Sequence, residues 1–139
     1  MIFLDTSFLI DFSRNPGLVD FISQEEESVV SVISYHEIMT GLKRLRVKRE
    51  LDFFERLFSE ITLIPFDEAA AVCSSDLASR LMLSGSRVNG FDILIAGTAV
   101  SRLASGILTA DSNFTLIAPA ANLPVLRYDS LEESQVPGL

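Results

Sequence analysis

The fold of this chain is decided by the stretch MIFLDTS at residues 1–7, in which four apolar residues are followed directly by Asp5 and two hydroxyl side chains. A short, continuous apolar run predicts a strand covered on both faces, as in a parallel sheet flanked by helices. In such sheets ligands bind beyond the carboxyl ends of the strands. Asp5 is therefore a candidate site residue, although capping of the helix predicted at residues 8–14 explains a lone aspartate more simply.

Length and composition predict one globular domain spanning residues 1–139. Hydrophobic residues make up 48% of the chain and charged residues 22%, which suits a protein with a substantial core. No apolar run approaches the roughly 20 residues needed to cross a bilayer, and the first one stops at Leu4, too early for a signal peptide. A single cysteine, Cys73, excludes an internal disulfide. We therefore expect a cytoplasmic protein.

Strands and helices alternate along the chain. Apolar and β-branched runs predict strands at residues 1–4, 28–32, 61–64, 107–109 and 125–127. Periodic or capped stretches predict helices at residues 8–14, 18–24 and 50–58, from Ser34, from Asp67, and from Asn89 to Gly106. This alternation predicts an α/β fold with a parallel sheet and right-handed crossovers.

Three further acids come close to a strand end or a helix start, and two of them have a simple local explanation. Glu37 forms a capping-box pattern with Ser34. Asp92 lies in the first turn of an apolar helix, where Asn89 can cap and the helix dipole favours a negative charge. Yet a charge in so apolar a helix is costly unless it is paired, and no cationic residue is near in sequence. Asp111 closely follows the fourth predicted strand.

In a parallel sheet the helices that follow strands begin at the same edge, so four acids are expected to converge there: Asp5, Glu37, Asp92 and Asp111. Converging carboxylates repel one another strongly. A hard divalent cation, Mg²⁺ or Mn²⁺, would relieve this repulsion because it prefers oxygen ligands. With one histidine, His36, and one cysteine, no Ser-His-Asp or Cys-His arrangement is available.

Four short motifs, in order along the chain, resemble those of a PIN domain: D-T-S-x-x-I from Asp5, E-I-x-x-G from Glu37, D-x-L-I-A from Asp92 and T-x-D-x-x-F from Thr109. The resemblance covers nearly the whole chain. The length of the chain and the order of its motifs are similar to those of the VapC-type toxins of toxin–antitoxin pairs. It implies a three-layer α/β/α sandwich with a central parallel sheet. It also implies an Mg²⁺-dependent endoribonuclease, with RNA as substrate, a cognate antitoxin as partner and a homodimer.

The resemblance also assigns roles to the four acids. Asp5 and Asp92 would bind the metal directly, whereas Glu37 and Asp111 would ligate it through water or orient the attacking water. Three neighbouring hydroxyl side chains would orient these carboxylates: Thr6, Ser7 and Thr109.

The chain departs from the family pattern in three respects. Ser7 stands where many relatives have Asn, and Gly97 replaces a frequent Ala. The net charge of −8 is unusually negative for an RNA enzyme and argues against broad attraction to nucleic acid. Five of the eleven Lys and Arg residues nevertheless fall within residues 43–49. This run is either a solvated helix end or an RNA-backbone contact made by Lys43, Arg44 and Arg46.

Two other classes of function are open at this stage. A non-catalytic PIN-like interaction module would act through a protein partner, but such a scaffold gains nothing from repulsion among buried acids. A receiver-like phospho-acceptor domain needs a lysine late in the chain, and no lysine follows Lys48. The helix at residues 50–58 contains more phenylalanines than one buried face needs: Phe53, Phe54 and Phe58. We therefore expect an exposed apolar patch there, which would mark the interface of the homodimer.

Overall fold

The computed structural model describes residues 1–128. The sequence predicts that the acidic tail from Asp129 is partly ordered at best, and this prediction lies outside the described residues. The sheet contains β1 (Ile2–Leu4), β2 (Ser28–Ser31), β3 (Thr62–Ile64), β4 (Gly106–Thr109) and β5 (Val125–Arg127). The helices are α1 (Thr6–Arg14), α2 (Val32–Leu45), α3 (Lys48–Glu60), α4 (Glu68–Leu83), α5 (Gly90–Ser101) and α6 (Asn113–Ala121). A 3-10 helix, Pro16–Phe21, lies between α1 and β2. Within residues 1–128, no helix has the length and apolar character to cross a membrane.

All these strands run parallel, in the order β3-β2-β1-β4-β5. The chain builds one half of the sheet outward from β1 to β3 and then crosses to the other side of β1. The carboxyl ends of β1 and β4 therefore lie side by side, with Leu4 paired to Leu108. In open α/β sheets, the point at which strand order reverses in this way is where ligands bind.

Successive residues of β1 point into two separate cores, as the pleat of a strand requires. Phe3 is fully buried in a cluster that includes Leu77 of α4 and Ile117 of α6. Leu4 lies in a cluster on the opposite face, to which α1, α2 and α3 contribute and which includes Ile38. Helices thus cover both faces of the sheet, and the predicted α/β/α sandwich is confirmed.

Helix α2 begins earlier than the sequence suggests, and the capping box predicted for Ser34 and Glu37 is wrong. Ser31, the last residue of β2, has an extended backbone and accepts a hydrogen bond from Ile33 N at 3.1 Å, so the strand passes directly into the helix. Ser34 is therefore an internal, buried helical residue. Glu37 is left in the second turn, where its side chain has no capping role.

Three further elements differ from expectation. Of residues 18–24, expected as an α-helix, residues 18–21 belong to the 3-10 helix and residues 22–24 are not helical. Helix α5 ends at Ser101, and Gly106 begins β4 rather than ending the helix. Helix α6 is not predicted from the sequence, because Pro119 lies inside it and much of its surface is apolar.

Helices α4 and α5 cross at very short range. A Cβ atom on Gly97 would lie 2.5 Å from the Cβ of Ser74 and 2.6 Å from its Cα, which is closer than side chains tolerate. Packing therefore requires glycine at position 97, which explains its departure from the frequent alanine. The contact also fixes the position of α5, the helix that carries Asp92.

The phenylalanines of α3 pack within the chain. Phe54 is 2% exposed and stacks on Phe58, with ring centroids 5.6 Å apart. Phe53 contacts Phe12 at 5.6 Å, and Phe58 packs edge-on against Tyr35 at 4.9 Å. The expected exposed patch is therefore wrong, because α1 and α2 supply aromatic partners to α3. The homodimer itself stays a prediction.

Candidate active site

The carboxyl edge of the sheet brings the four candidate acids into one region. Asp5 follows β1 directly, and Asp111 lies two residues after β4. Glu37 occupies the second turn of α2, and Asp92 the first turn of α5. The acids thus come from four different parts of the chain, which the reversal of strand order places together.

Asp5 is almost completely buried, with 1% of its surface exposed. Thr109 Oγ1 and Ser7 Oγ both donate to Asp5 Oδ2, at 2.7 and 2.9 Å. The carboxylate makes no capping bond to α1, so the alternative that Asp5 is only a helix cap is wrong. Its Oδ1 is buried and has no hydrogen-bond partner among the described residues. One oxygen of Asp5 is therefore fixed by hydroxyls, and the other is available to a ligand.

The hydroxyls of Ser7 and Thr109 also tie the start of α1 to the end of β4. Their oxygens lie 3.1 Å apart, and Ala110 N donates to Ser7 Oγ at 3.1 Å. Asp111 N donates to Thr109 Oγ1 at 2.9 Å. A single threonine hydroxyl thereby links the carboxylate of Asp5 to the backbone of Asp111.

Glu37 is held from the neighbouring helix. Thr6 Oγ1 donates to Glu37 Oε1 at 2.9 Å, joining α1 to α2 near the end of β1. Glu37 is half-buried. The bond fixes one carboxylate oxygen, as the hydroxyls do for Asp5.

Asp92 does not act as the cap of its helix. Asn89 performs that role, since its side chain accepts from Phe91 N at 2.8 Å. Asp92 is 6% exposed, and Asn113 Nδ2 donates to its Oδ2 at 3.0 Å. The backbone N–H of Asn113 donates to Asp111 Oδ1 at 2.9 Å. Asn113 gives no interpretable signal in the sequence, because α6 is itself not predicted.

The pKa values of three of these acids are raised, chiefly by burial and in smaller part by the charges of the neighbouring acids. Burial raises the pKa of Asp5, and the charge of Asp111 adds to this, against the lowering effect of the Thr109 and Ser7 hydroxyls. Burial also raises the pKa of Glu37, with contributions from the charges of Asp5 and Asp111 and opposition from the Thr6 hydroxyl. Burial raises the pKa of Asp92 to about 7, reinforced by the charges of Asp111 and Asp5 and opposed by the Asn113 amide. The acids are thus electrostatic neighbours.

The donor chemistry of the site fits a hard divalent cation. The four carboxylates carry oxygen atoms of the kind that such a cation prefers, and Asp5 Oδ1 is a buried oxygen without a hydrogen-bond partner among the described residues. Ion pairs that could have neutralised the site lie elsewhere, at Arg80 with Asp76 and Arg102 with Asp67. Within residues 1–128, no three His, Cys, Asp or Glu side chains are close enough to form a ready-made metal cage. The acids are therefore neighbours that repel, not preassembled ligands.

The basic run lies at the end of α2, beyond Glu37. Lys43, Arg44 and Arg46 are exposed at the end of α2. Lys43 follows Glu37 by six residues, which is about 9 Å along a helix axis. Their contact with RNA stays a prediction. His36 is exposed and its ring lies 5.8 Å from that of Phe91, so it packs on the surface.

A mostly apolar groove of about 160 Å³ opens beside Glu37, between α1, α2 and the start of α3. Ile10, Ile38 and Phe54 contribute to its apolar lining, and Arg14 and Glu50 bring charge. Glu50 Oε2 is buried and has no hydrogen-bond partner among the described residues. The groove thus combines apolar walls with carboxylates at Glu37 and Glu50.

Comparison with known proteins gives a consistent picture. A family model described as PIN domain matches residues 2–118. Among solved structures, FitAcB from Neisseria gonorrhoeae aligns at 26% identity over 91% of this chain and 97% of that chain, with a TM-score of 0.71. VapBC-5 from Mycobacterium tuberculosis, a member of the VapBC family of toxin–antitoxin systems, aligns at 25% identity over 90% and 96%, with a TM-score of 0.71.

VapBC2 from Rickettsia felis, bound to a DNA fragment from their promoter, shares the fold with a TM-score of 0.73. It is 18% identical and the alignment covers 90% of this chain and 97% of that chain. A comparison with curated proteins gives no match. The family model spans most of the chain, and two of these structural neighbours are VapBC proteins. The chain therefore belongs to the PIN domain family.

Proposed function

We propose that this protein is an Mg²⁺- or Mn²⁺-dependent endoribonuclease and the toxin of a type II toxin–antitoxin pair. The observation that carries the proposal is the gathering of four acids at the reversal point of the sheet, with Asp5 Oδ1 buried and lacking a hydrogen-bond partner among the described residues. Burial and repulsion of this kind are costly to a fold. A positively charged ligand offsets this cost, and a divalent cation bound there would also promote RNA hydrolysis.

The hydrolytic step assigns one task to each acid. A bound divalent cation would neutralise charge on the phosphoryl oxygens and promote ionisation of water. Asp5 and Asp92 would hold it. Glu37 and Asp111 would orient the attacking water and accept its proton as the new P–O bond forms. As the bond from phosphorus to the leaving oxygen of the RNA strand breaks, that oxygen would take a proton from solvent.

Substrate binding has to overcome the net charge of −8. The exposed cations at the end of α2 are the candidates for phosphate contacts, because they concentrate positive charge on a chain that otherwise repels RNA. Lys43, Arg44 and Arg46 would then raise affinity without taking part in the chemical step.

The cognate antitoxin would bind in the groove beside Glu37. Its apolar walls suit an apolar side chain, and the carboxylates of Glu37 and Glu50 favour a cationic neighbour. Gly41 lines this groove, and within residues 1–128 no atom outside its own helix backbone and chain neighbours lies within 4 Å of the position its Cβ would take. Gly41→Leu should therefore fill the groove and reduce neutralisation by the antitoxin, while RNA cleavage continues. Thr40→Leu, at an exposed neighbouring position of the same helix, is the matched control.

A fluorogenic RNA substrate with Mg²⁺, and then with EDTA, tests the nuclease. Asp92→Asn should abolish cleavage in a folded protein, whereas Glu68→Gln, an exposed acid in the first turn of α4, should cleave like wild type. Cleavage by Asp92→Asn within tenfold of wild type, in preparations free of contaminating nuclease, contradicts the proposal. An antitoxin that binds a chain without nuclease activity would favour the alternative, a non-catalytic PIN-like interaction module.

A further inference from the structure

Asn113 joins two acids of the site that belong to different elements. Its side-chain Nδ2 donates to Asp92 Oδ2 at 3.0 Å, and its backbone N–H donates to Asp111 Oδ1 at 2.9 Å. Asp92 lies on α5, whereas Asp111 lies in the connection from β4 to α6. One residue thus donates a hydrogen bond to each of the two carboxylates.

The side chain of Asn113 is not used to build its own helix. Asn113 is the first residue of α6, and the capping position before it belongs to Ser112, whose side chain makes no capping bond. The amide instead reaches 21 residues back in sequence to Asp92. A neutral amide suits this position, because it fixes a carboxylate oxygen without supplying the positive charge that would compete with a cation.

The other two acids of the site are held in the same manner. Thr6 donates to one oxygen of Glu37, and Thr109 and Ser7 donate to one oxygen of Asp5. In each case a neutral donor restrains one carboxylate oxygen. We propose that Asn113 is the positioning residue for Asp92 and Asp111, holding one oxygen of each so that the other is left for a divalent cation. This inference rests on the proposed function.

Metal affinity tests the positioning role directly. Groups that orient metal ligands typically cost 10- to 100-fold in affinity when removed. Isothermal titration of the metal-free protein with Mn²⁺ should show a loss of at least 10-fold in Asn113→Ala. Asn89→Ala is the matched control, because Asn89 caps the helix that carries Asp92 through Phe91 N but does not hold its carboxylate. It should bind Mn²⁺ within twofold of wild type.

A second variant separates hydrogen bonding from packing. Asn113→Leu keeps a side chain of similar shape but removes the amide donor, and it should lose Mn²⁺ affinity as Asn113→Ala does. Wild-type affinity in Asn113→Leu, or an equal loss in Asn89→Ala, overturns the inference, since side-chain volume or helix placement would then be the cause.

A double-mutant cycle without metal keeps this inference distinct from the proposed function. Asn113→Ala should lower the Tm of the wild-type protein by more than it lowers that of Asp92→Ala, because only the first background contains the hydrogen bond. Equal Tm shifts in the two backgrounds overturn the inference. If the wild-type protein binds no Mn²⁺ and cleaves no RNA, the proposed function fails, and the cycle still decides whether Asn113 holds Asp92.

Discussion

Replacing Asp92 with asparagine should stabilise the metal-free protein at pH 7 while it removes activity. The folded pKa of Asp92 is raised to about 7 from 3.8, chiefly by burial. Each pKa unit corresponds to about 1.4 kcal/mol, so the full shift of roughly three units sets an upper bound near 4 kcal/mol. Coupling to Asp111 reduces this, and we expect about 1 to 2 kcal/mol.

The direction follows from proton binding. A raised folded pKa means that the folded state holds its proton more tightly than the unfolded chain, so the stabilising contribution is complete below about pH 3.8 and is lost as pH rises through about 7. Because asparagine cannot ionise, the variant does not lose this stability as pH rises. Asp92→Asn should therefore melt about 3 to 7 °C above wild type at pH 7, and close to it near pH 4.

Thermal melts of both proteins, in EDTA and in Mg²⁺, measure the effect. Mg²⁺ at a hundred times its dissociation constant should add about 2.7 kcal/mol to wild type and clearly less to the variant. Glu68→Gln is the control, because loss of an exposed charge in the first turn of a helix should destabilise by about 0.3 to 1 kcal/mol. The opposite result is that Asp92→Asn loses stability as this control does, with no effect of Mg²⁺ on the Tm of either wild type or variant. That result would mean that Asp92 only interacts with the dipole of α5 and does not bind metal.

Three further predictions concern packing, substrate and assembly. In a denaturant titration, Gly97→Ala should lower the free energy of unfolding by about 1 to 3 kcal/mol, because its Cβ collides with α4. Gly41→Ala, in open space on a helix, should instead raise it by about 0.5 to 1 kcal/mol. Equal effects of the two variants would refute the close crossing of α4 and α5. Neutralising Lys43, Arg44 and Arg46 should weaken RNA binding and flatten its salt dependence by about one unit per lost phosphate contact, and an unchanged slope would mean a solvated helix end. Light scattering should find a dimer, and a monomer at high micromolar concentration would contradict that expectation.

The alternation of strands and helices can be predicted from short stretches of the sequence. The apolar run that ends at Asp5 predicts a buried parallel strand, because covering a strand on both faces leaves little room for polar residues. Asn89 and Asp67 are both recognisable as caps, since capping acts over two or three residues. The same local rule fails at Ser34, because Ser31 offers an equally good cap three residues earlier and the strand leads straight into it.

Sequence patterns are sufficient to predict the α/β architecture and the gathering of four acids at one sheet edge. Periodicity, apolar runs and caps act over a few residues, and a parallel sheet with right-handed crossovers follows from general topological rules. Only the tertiary structure decided which oxygen of each acid is held and by what. Those contacts join residues far apart in the chain, such as Thr109 with Asp5 and Asn113 with Asp92. No local pattern encodes them, because each forms only once the strands are paired and α5 is packed against α4.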